Sequence, residues 1–236
     1  MTSTRVNSDS KTTALAAAVA DSLHGRALLA HPFYRRWEAG QLEMSELAEY
    51  AVHYRAFEAA LPVVLAAVVD RLLADGDLEA AAIVEQNLAD ELGRPEPHLA
   101  LFDRFAQSLP TEAAATSPGA AANTLVNTYL GLAAEGPVAA LAGLAAYETQ
   151  AAAIAASKAD GLRRWYGMDT AGTEFWDVHA AMDADHGAWT IDALALLGAD
   201  RAEVSDAARR GADAWWGLLD EREADAPGSA ELCSHH

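Results

Sequence analysis

Apolar residues recur along this chain at three- and four-residue spacing, and no segment sustains the apolar–polar alternation of a half-buried strand. Alanine dominates and β-branched residues are sparse, which favours helix nearly throughout. The spacing predicts helices near 13–25, 32–39, 45–74, 77–92, 96–108, 120–134, 137–165, 173–197 and 200–223. Local chemistry marks several ends. Ser45 is placed to cap the third helix, with Glu46 and Glu49 at its positive end but Ala48 where a capping box would need an acid. Pro62 falls inside that helix and is expected to kink it. Gly93, Pro95 and Pro97 stop one helix and start another, and Asp200 can cap the last. Residues 109–120 read as a loop. The chain is expected to be all-α: a disordered N-terminus over 1–12, one helical domain over 13–224 and a flexible tail over 225–236.

The chain has 236 residues and a net charge of −19, from 16 basic and 35 acidic side chains. That charge repels phosphate backbones and anionic lipid surfaces, so neither nucleic acid nor membrane is an expected partner. No uninterrupted apolar run approaches the roughly 20 residues of a bilayer span. The run from Ala59 to Val69, flanked by Glu58 and Asp70, is about half of that. Nothing resembles a secretion signal, so a cytoplasmic location is expected. The single cysteine, Cys233, sits near the end, which argues against a disulfide framework, a cysteine zinc site or a cysteine nucleophile.

The chemistry concentrates in Phe175-Trp176-Asp177-Val178-His179-Ala180-Ala181-Met182-Asp183-Ala184-Asp185-His186. His179, Asp183 and His186 stand at i, i+4 and i+7 and share one helical stripe. Two imidazoles and a carboxylate suit iron or manganese, although such a stripe on an acidic helix also reads as a solvated face. Glu148 interrupts an apolar stretch, where an acid is unfavourable unless paired, metal-bound or turned to solvent. Glu91 and His98 flank the Gly93–Pro97 break, so a chain reversal can aim both at one spot; as ordinary loop polarity they would aim at none. Together these six form a ligand inventory for two iron ions bridged by a carboxylate. The two Glu-x2-His motifs of ferritin-like bundles are absent, and only Asp183-x2-His186 approaches that pattern.

The order Asp90-Glu91…His98, Tyr147-Glu148-x-Gln150 and His179-x3-Asp183-x2-His186 resembles the haem-oxygenase-like diiron oxidases and oxygenases. His31-Pro32-Phe33-Tyr34-x2-Trp37-x2-Gly40 and Tyr50-Ala51-x2-Tyr54 are similar to the same family, and the likeness runs from about Leu28 to Leu197. The resemblance implies a bundle of about seven core helices and two Fe(II) ions, with manganese a possible substitute, held by Glu91, His98, Glu148, His179, Asp183 and His186. It implies O2 activation to oxidise a small amine, amino acid or carboxylic acid, with an external electron donor; a homodimer is compatible with it. One branch makes 4-aminobenzoate from one of its own tyrosines with a lysine as amino donor. Tyr34 and Lys158 fall at those positions, and Tyr50 and Tyr147 match tyrosines near that centre. As alternatives, the tyrosines read as core aromatics and Lys158 as a surface charge.

Two departures bear on the substrate. Leu92 stands where that branch continues with a second acid. Glu58 stands at an apolar position, as a seventh iron ligand, an anchor for a substrate ammonium or a partner of Arg55. Relatives on the same fold offer other readings. A thiaminase-like hydrolase needs an internal cysteine, a haem oxygenase an N-terminal histidine such as His24, and a cofactor-free oxidase of the pyrroloquinoline-quinone type a basic pocket. A non-catalytic interaction protein would expose an apolar stripe, for which Trp215, Trp216, Leu218 and Leu219 are candidates if they are not core.

Overall fold

The computed structural model describes residues 2–93, 96–110 and 117–226. Among these there are nine α-helices and no strand. They are α1 (Thr2–Ser22), α2 (Pro32–Glu38), α3 (Met44–Asp75), α4 (Leu78–Glu91), α5 (His98–Gln107), α6 (Ala120–Glu135), α7 (Pro137–Tyr166), α8 (Thr170–Leu196) and α9 (Arg201–Ala224), with one 3₁₀ turn at Leu28–Ala30. The all-α expectation holds, and most helix bounds fall within a few residues of those expected. Helix α1 differs most, beginning at Thr2 rather than near 13. Cys233 and most of the expected tail lie outside the described residues, as do Pro95 and the middle of the 109–120 loop.

The third helix starts one residue before Ser45. Its cap is Glu43, two residues before Ser45, whose backbone N–H donates to the Glu46 carboxylate at 2.7 Å, so a capping box forms where the Ser45–Ala48 pair could not make one. The helix then runs unbroken through Pro62. Asp200 caps α9 as expected, accepting from the N–H groups of Ala202 and Glu203.

Helix α7 is the centre of the bundle, packing most extensively on α8 and then on α9, with α6 beside it. Small residues permit this. A Cβ on Gly211 of α9 would lie 2.8 Å from the Gly143 carbonyl oxygen of α7, so only glycine allows the two backbones this approach. The Tyr129 hydroxyl donates to that carbonyl and accepts from the Trp215 indole, tying α6 to the same junction. Trp215, Leu218 and Leu219 are buried core, and Trp216 is half-buried against His31. The proposed apolar stripe is therefore not a free surface. Helix α7 is also long and apolar enough to cross a membrane, but 72% of its apolar 18-residue stretch is buried inside the bundle.

Candidate metal centre

Four helices bring the expected ligands together. Helix α4 ends on Glu91, α5 opens on His98, α7 carries Glu148 at mid-length, and α8 presents His179, Asp183 and His186. All six are buried, so the solvated-face and loop-polarity alternatives fall away. Glu58 joins them from α3 and is 2% exposed. It does not pair with Arg55, which bonds Asp103 at 2.6 Å on the surface.

One ligand atom from each of Glu58, Glu91, His98 and His179 lies within 4.8 Å of the others. Glu91 Oε2 and His98 Nδ1 are 3.1 Å apart but lack hydrogen-bond geometry. With Glu58 Oε1, they are buried polar atoms that have no hydrogen-bond partner among the described residues. Leaving an atom such as Glu58 Oε1 unsatisfied costs about 1–3 kcal/mol, and a bound cation removes that cost. The donor set, two carboxylates and two imidazoles, fits iron or manganese.

Glu148, Asp183 and His186 complete the other side of a cavity of about 20 Å³, which Glu58, Glu91, His179, Tyr54 and Tyr147 also line. Here the candidate ligands are braced. Asn87 Nδ2 donates to Glu148 Oε1 at 2.9 Å, and the Thr190 hydroxyl donates to Oε2. His186 Nε2 lies 3.3 Å from Asp90, leaving Nδ1 toward Asp183 at 3.5 Å. His179 donates Nδ1–H to the Phe175 carbonyl at 2.8 Å, which frees Nε2 as a ligand. A Cβ on Gly187 would sit 3.2 Å from the Glu148 carbonyl oxygen, so a glycine there lets α8 lie close against α7 beside the ligands.

Charge in this site is divided between groups that want a cation and groups that supply one. Burial, then the nearby Glu91 and Asp183, pushes Glu58 well above the usual carboxylate range. Burial also raises Glu148, to about 7, against the opposing pull of Thr190, His186 and Asn87. For Glu91, burial is outweighed by the adjacent imidazoles, His98 above all, and its carboxyl is held low. Burial depresses His179. His186 goes the other way, to about 9, because Asp183, Glu148 and Glu91 overcome its burial. The metal-free cluster is thus a partly protonated, mutually strained set of acids and bases, from which a cation would displace protons.

Beside this cavity Lys158 is fully buried at 2% exposure, which rules out a surface charge. Its Nζ donates to the Tyr50 hydroxyl at 2.6 Å, and that hydroxyl bonds Tyr34 at 2.7 Å. The amine sits 4.1 Å from the centroid of Trp176, 4.5 Å from Tyr34 and 4.9 Å from both Tyr50 and Tyr54. Burial drives it well below its usual range, with Glu58 opposing. Tyr147 bonds Tyr54 through their hydroxyls at 2.7 Å and stacks on Trp215. The tyrosines are core aromatics with bonded hydroxyls, arranged as a polar thread through an apolar interior. His24 is exposed in the turn that follows α1, and no cysteine lies in the described core.

Asn87, Thr190 and Tyr54, and the role of Asp90, were not expected from the sequence. Two were within reach: Thr190 continues the His179–Asp183–His186 stripe at i+4 from His186, and Asn87 precedes Glu91 by four on the same face.

A family model described as iron-containing redox enzymes matches residues 48–216. A 4-aminobenzoate synthase of Nitrosomonas europaea is 36% identical over 212 residues, covering 84% of this chain and 86% of the relative. A 4-aminobenzoate synthase of Chlamydia muridarum is 29% identical over 204 residues, covering 84% and 85%. Among solved structures, a CADD-like protein of unknown function from Nostoc punctiforme superposes with a TM-score of 0.75 at 18% identity, over 94% of this chain and 99% of the other. A TenA homologue from Pseudomonas syringae reaches 0.71 at 14% identity, over 89% and 91%. These structural neighbours fix the fold, and with the sequence match and the buried carboxylate–imidazole cluster they place the chain in the haem-oxygenase-like family of iron-containing redox enzymes.

Proposed function

We propose that this protein is a 4-aminobenzoate synthase that consumes its own Tyr34 as ring donor and Lys158 as nitrogen donor, using O2 at a two-iron centre. The observation that carries this reading is the Lys158 amine 4.5 Å from the Tyr34 ring, in the same buried core as the ligand cluster. The cavity between the ligands is about 20 Å³, room for a water-sized molecule. That favours an internal substrate over an external amine, amino acid or carboxylic acid. Relatives named 4-aminobenzoate synthase at 29–36% identity support the same reaction.

Glu91, His98, Glu148, His179, Asp183 and His186 would hold the ions, with Glu58 as a seventh donor whose unpartnered oxygen faces the cluster. Iron bound there supplies the redox capacity toward O2; an external donor supplies further electrons. The chain's own groups do the rest. Burial keeps Lys158 toward its neutral, nucleophilic form. Tyr50 holds the amine and the Tyr34 hydroxyl on one oxygen, fixing their separation. Trp37, Trp176 and Tyr54 pack around the amine and keep water out.

The test uses protein labelled with ring-¹³C tyrosine, loaded anaerobically with Fe(II) and exposed to O2 with a reductant. Two iron ions per chain, labelled 4-aminobenzoate and a mass loss mapping to Tyr34 are expected. An intact chain with no labelled product overturns the proposal.

A further inference from the structure

The ligand cluster is buried, and a metal ion must reach it from solvent. A groove of about 520 Å³ runs on the outside of the bundle between α1, α7 and α8. Its floor includes Glu148 and Asp183, the same two carboxylates that line the inner cavity. These are the points at which outer groove and inner cluster share side chains. Ala153 on α7 and Ala184 and Ala188 on α8 are exposed in its walls and keep it open, since any larger side chain would fill it. Asp192 stands exposed at the rim, and no basic side chain lines the groove among the described residues. Beyond those two carboxylates the inner cavity is lined by Glu58 and Glu91, and Glu58 Oε1 there has no hydrogen-bond partner among the described residues.

We infer that this groove is the loading route for the divalent metal: a hydrated cation is drawn to Asp192, passes the alanine walls and is handed inward by Asp183 and Glu148. The inference rests on the metal centre proposed above. Carboxylates at rim and floor suit a cation and would serve no purpose for a neutral gas. The braced state of Glu148, with Asn87 and Thr190 on its two oxygens, fits a handover role. It is held in place where it lines both the groove and the inner cavity.

The experiment follows uptake of Co²⁺ by metal-free protein, through its ligand-field absorption in stopped flow, with no reaction of O2 involved. Ala184→Phe and Ala153→Phe fill opposite walls at exposed positions, and Ala67→Phe on the exposed face of α3 is the control. The wall variants are expected to load at least ten-fold more slowly than wild type with unchanged final stoichiometry, the control at the wild-type rate. Asp192→Asn should slow uptake several-fold at low salt and flatten its salt dependence. Wall variants that load as fast as wild type overturn the route while leaving the metal centre standing. A wild-type chain that takes up no Co²⁺ overturns the centre and the route together.

Discussion

Replacing Glu148 by glutamine should make the metal-free protein more stable and unable to hold its metal. Glu148 is buried mid-way along α7, and its carboxyl is raised from an ordinary 4.5 to about 7. That displacement disfavours the charged form by about 3 kcal/mol. The sign follows from proton counting. Between pH 4.5 and 7 the folded chain holds a proton that the unfolded chain has released, so stability falls as pH rises through this window. The penalty is about 1 kcal/mol at pH 5 and about 3 kcal/mol at pH 8. Glutamine has the same shape and no charge. Its oxygen still accepts from Asn87, and its amide donates to the Thr190 hydroxyl, which can turn to the carbonyl four residues back. Metal-free Glu148→Gln should therefore exceed wild type by about 3 kcal/mol at pH 8, or roughly 6–12 °C in Tm, and by about 1 kcal/mol at pH 5. Urea denaturation in the presence of a chelator, at both pH values, measures the difference. A variant no more stable than wild type at pH 8, or a gain independent of pH, refutes the reasoning. Iron content after loading should fall, separating stability from metal binding in one substitution.

Other changes probe the bracing and the packing. Asp90→Asn removes the carboxylate from His186 Nε2 and should weaken metal binding about ten- to a hundred-fold by competitive chelator titration, with little change in fold. Tyr50→Phe deletes the hydroxyl that joins Lys158 to Tyr34; product yield by mass spectrometry should drop while iron content stays at the wild-type level. Gly211→Ala forces a Cβ to 2.8 Å from a backbone oxygen and should cost about 1–3 kcal/mol in chemical denaturation. Glu58→Leu removes a buried acid raised well above its usual range and should raise metal-free stability at neutral pH. Iron content in that variant decides whether Glu58 is a ligand.

The sequence made the helices legible because their apolar spacing is local information, and the ligand stripe on α8 because it lies on one helix. Glu91 and His98 were legible through the proline–glycine break that lets the chain reverse between them. What stayed hidden was tertiary. Nothing in the spacing says that α3 turns Glu58 inward while Arg55, three residues earlier, faces outward to Asp103. Alanine on both faces of α7 hid which side was buried, so Lys158 read equally well as a surface charge. The capping box on α3 lies two residues before the Ser45 position, because Glu43 and Glu46 satisfy the same spacing that Ser45 and Ala48 fail.

Tyr34, on the seven-residue helix α2, is 2% exposed and packs against Phe33 and Trp37 of the same helix and Tyr50 of α3. Under the proposed chemistry, a chain that has given up this ring carries a hole in its core. Loss of a buried aromatic side chain typically costs about 3–5 kcal/mol, against the 5–15 kcal/mol that holds a domain together. The spent protein would then unfold more often than the fresh one and fall preferentially to cellular proteases. Its lifetime would be coupled to its single turnover by packing alone, without any signal added to the chain.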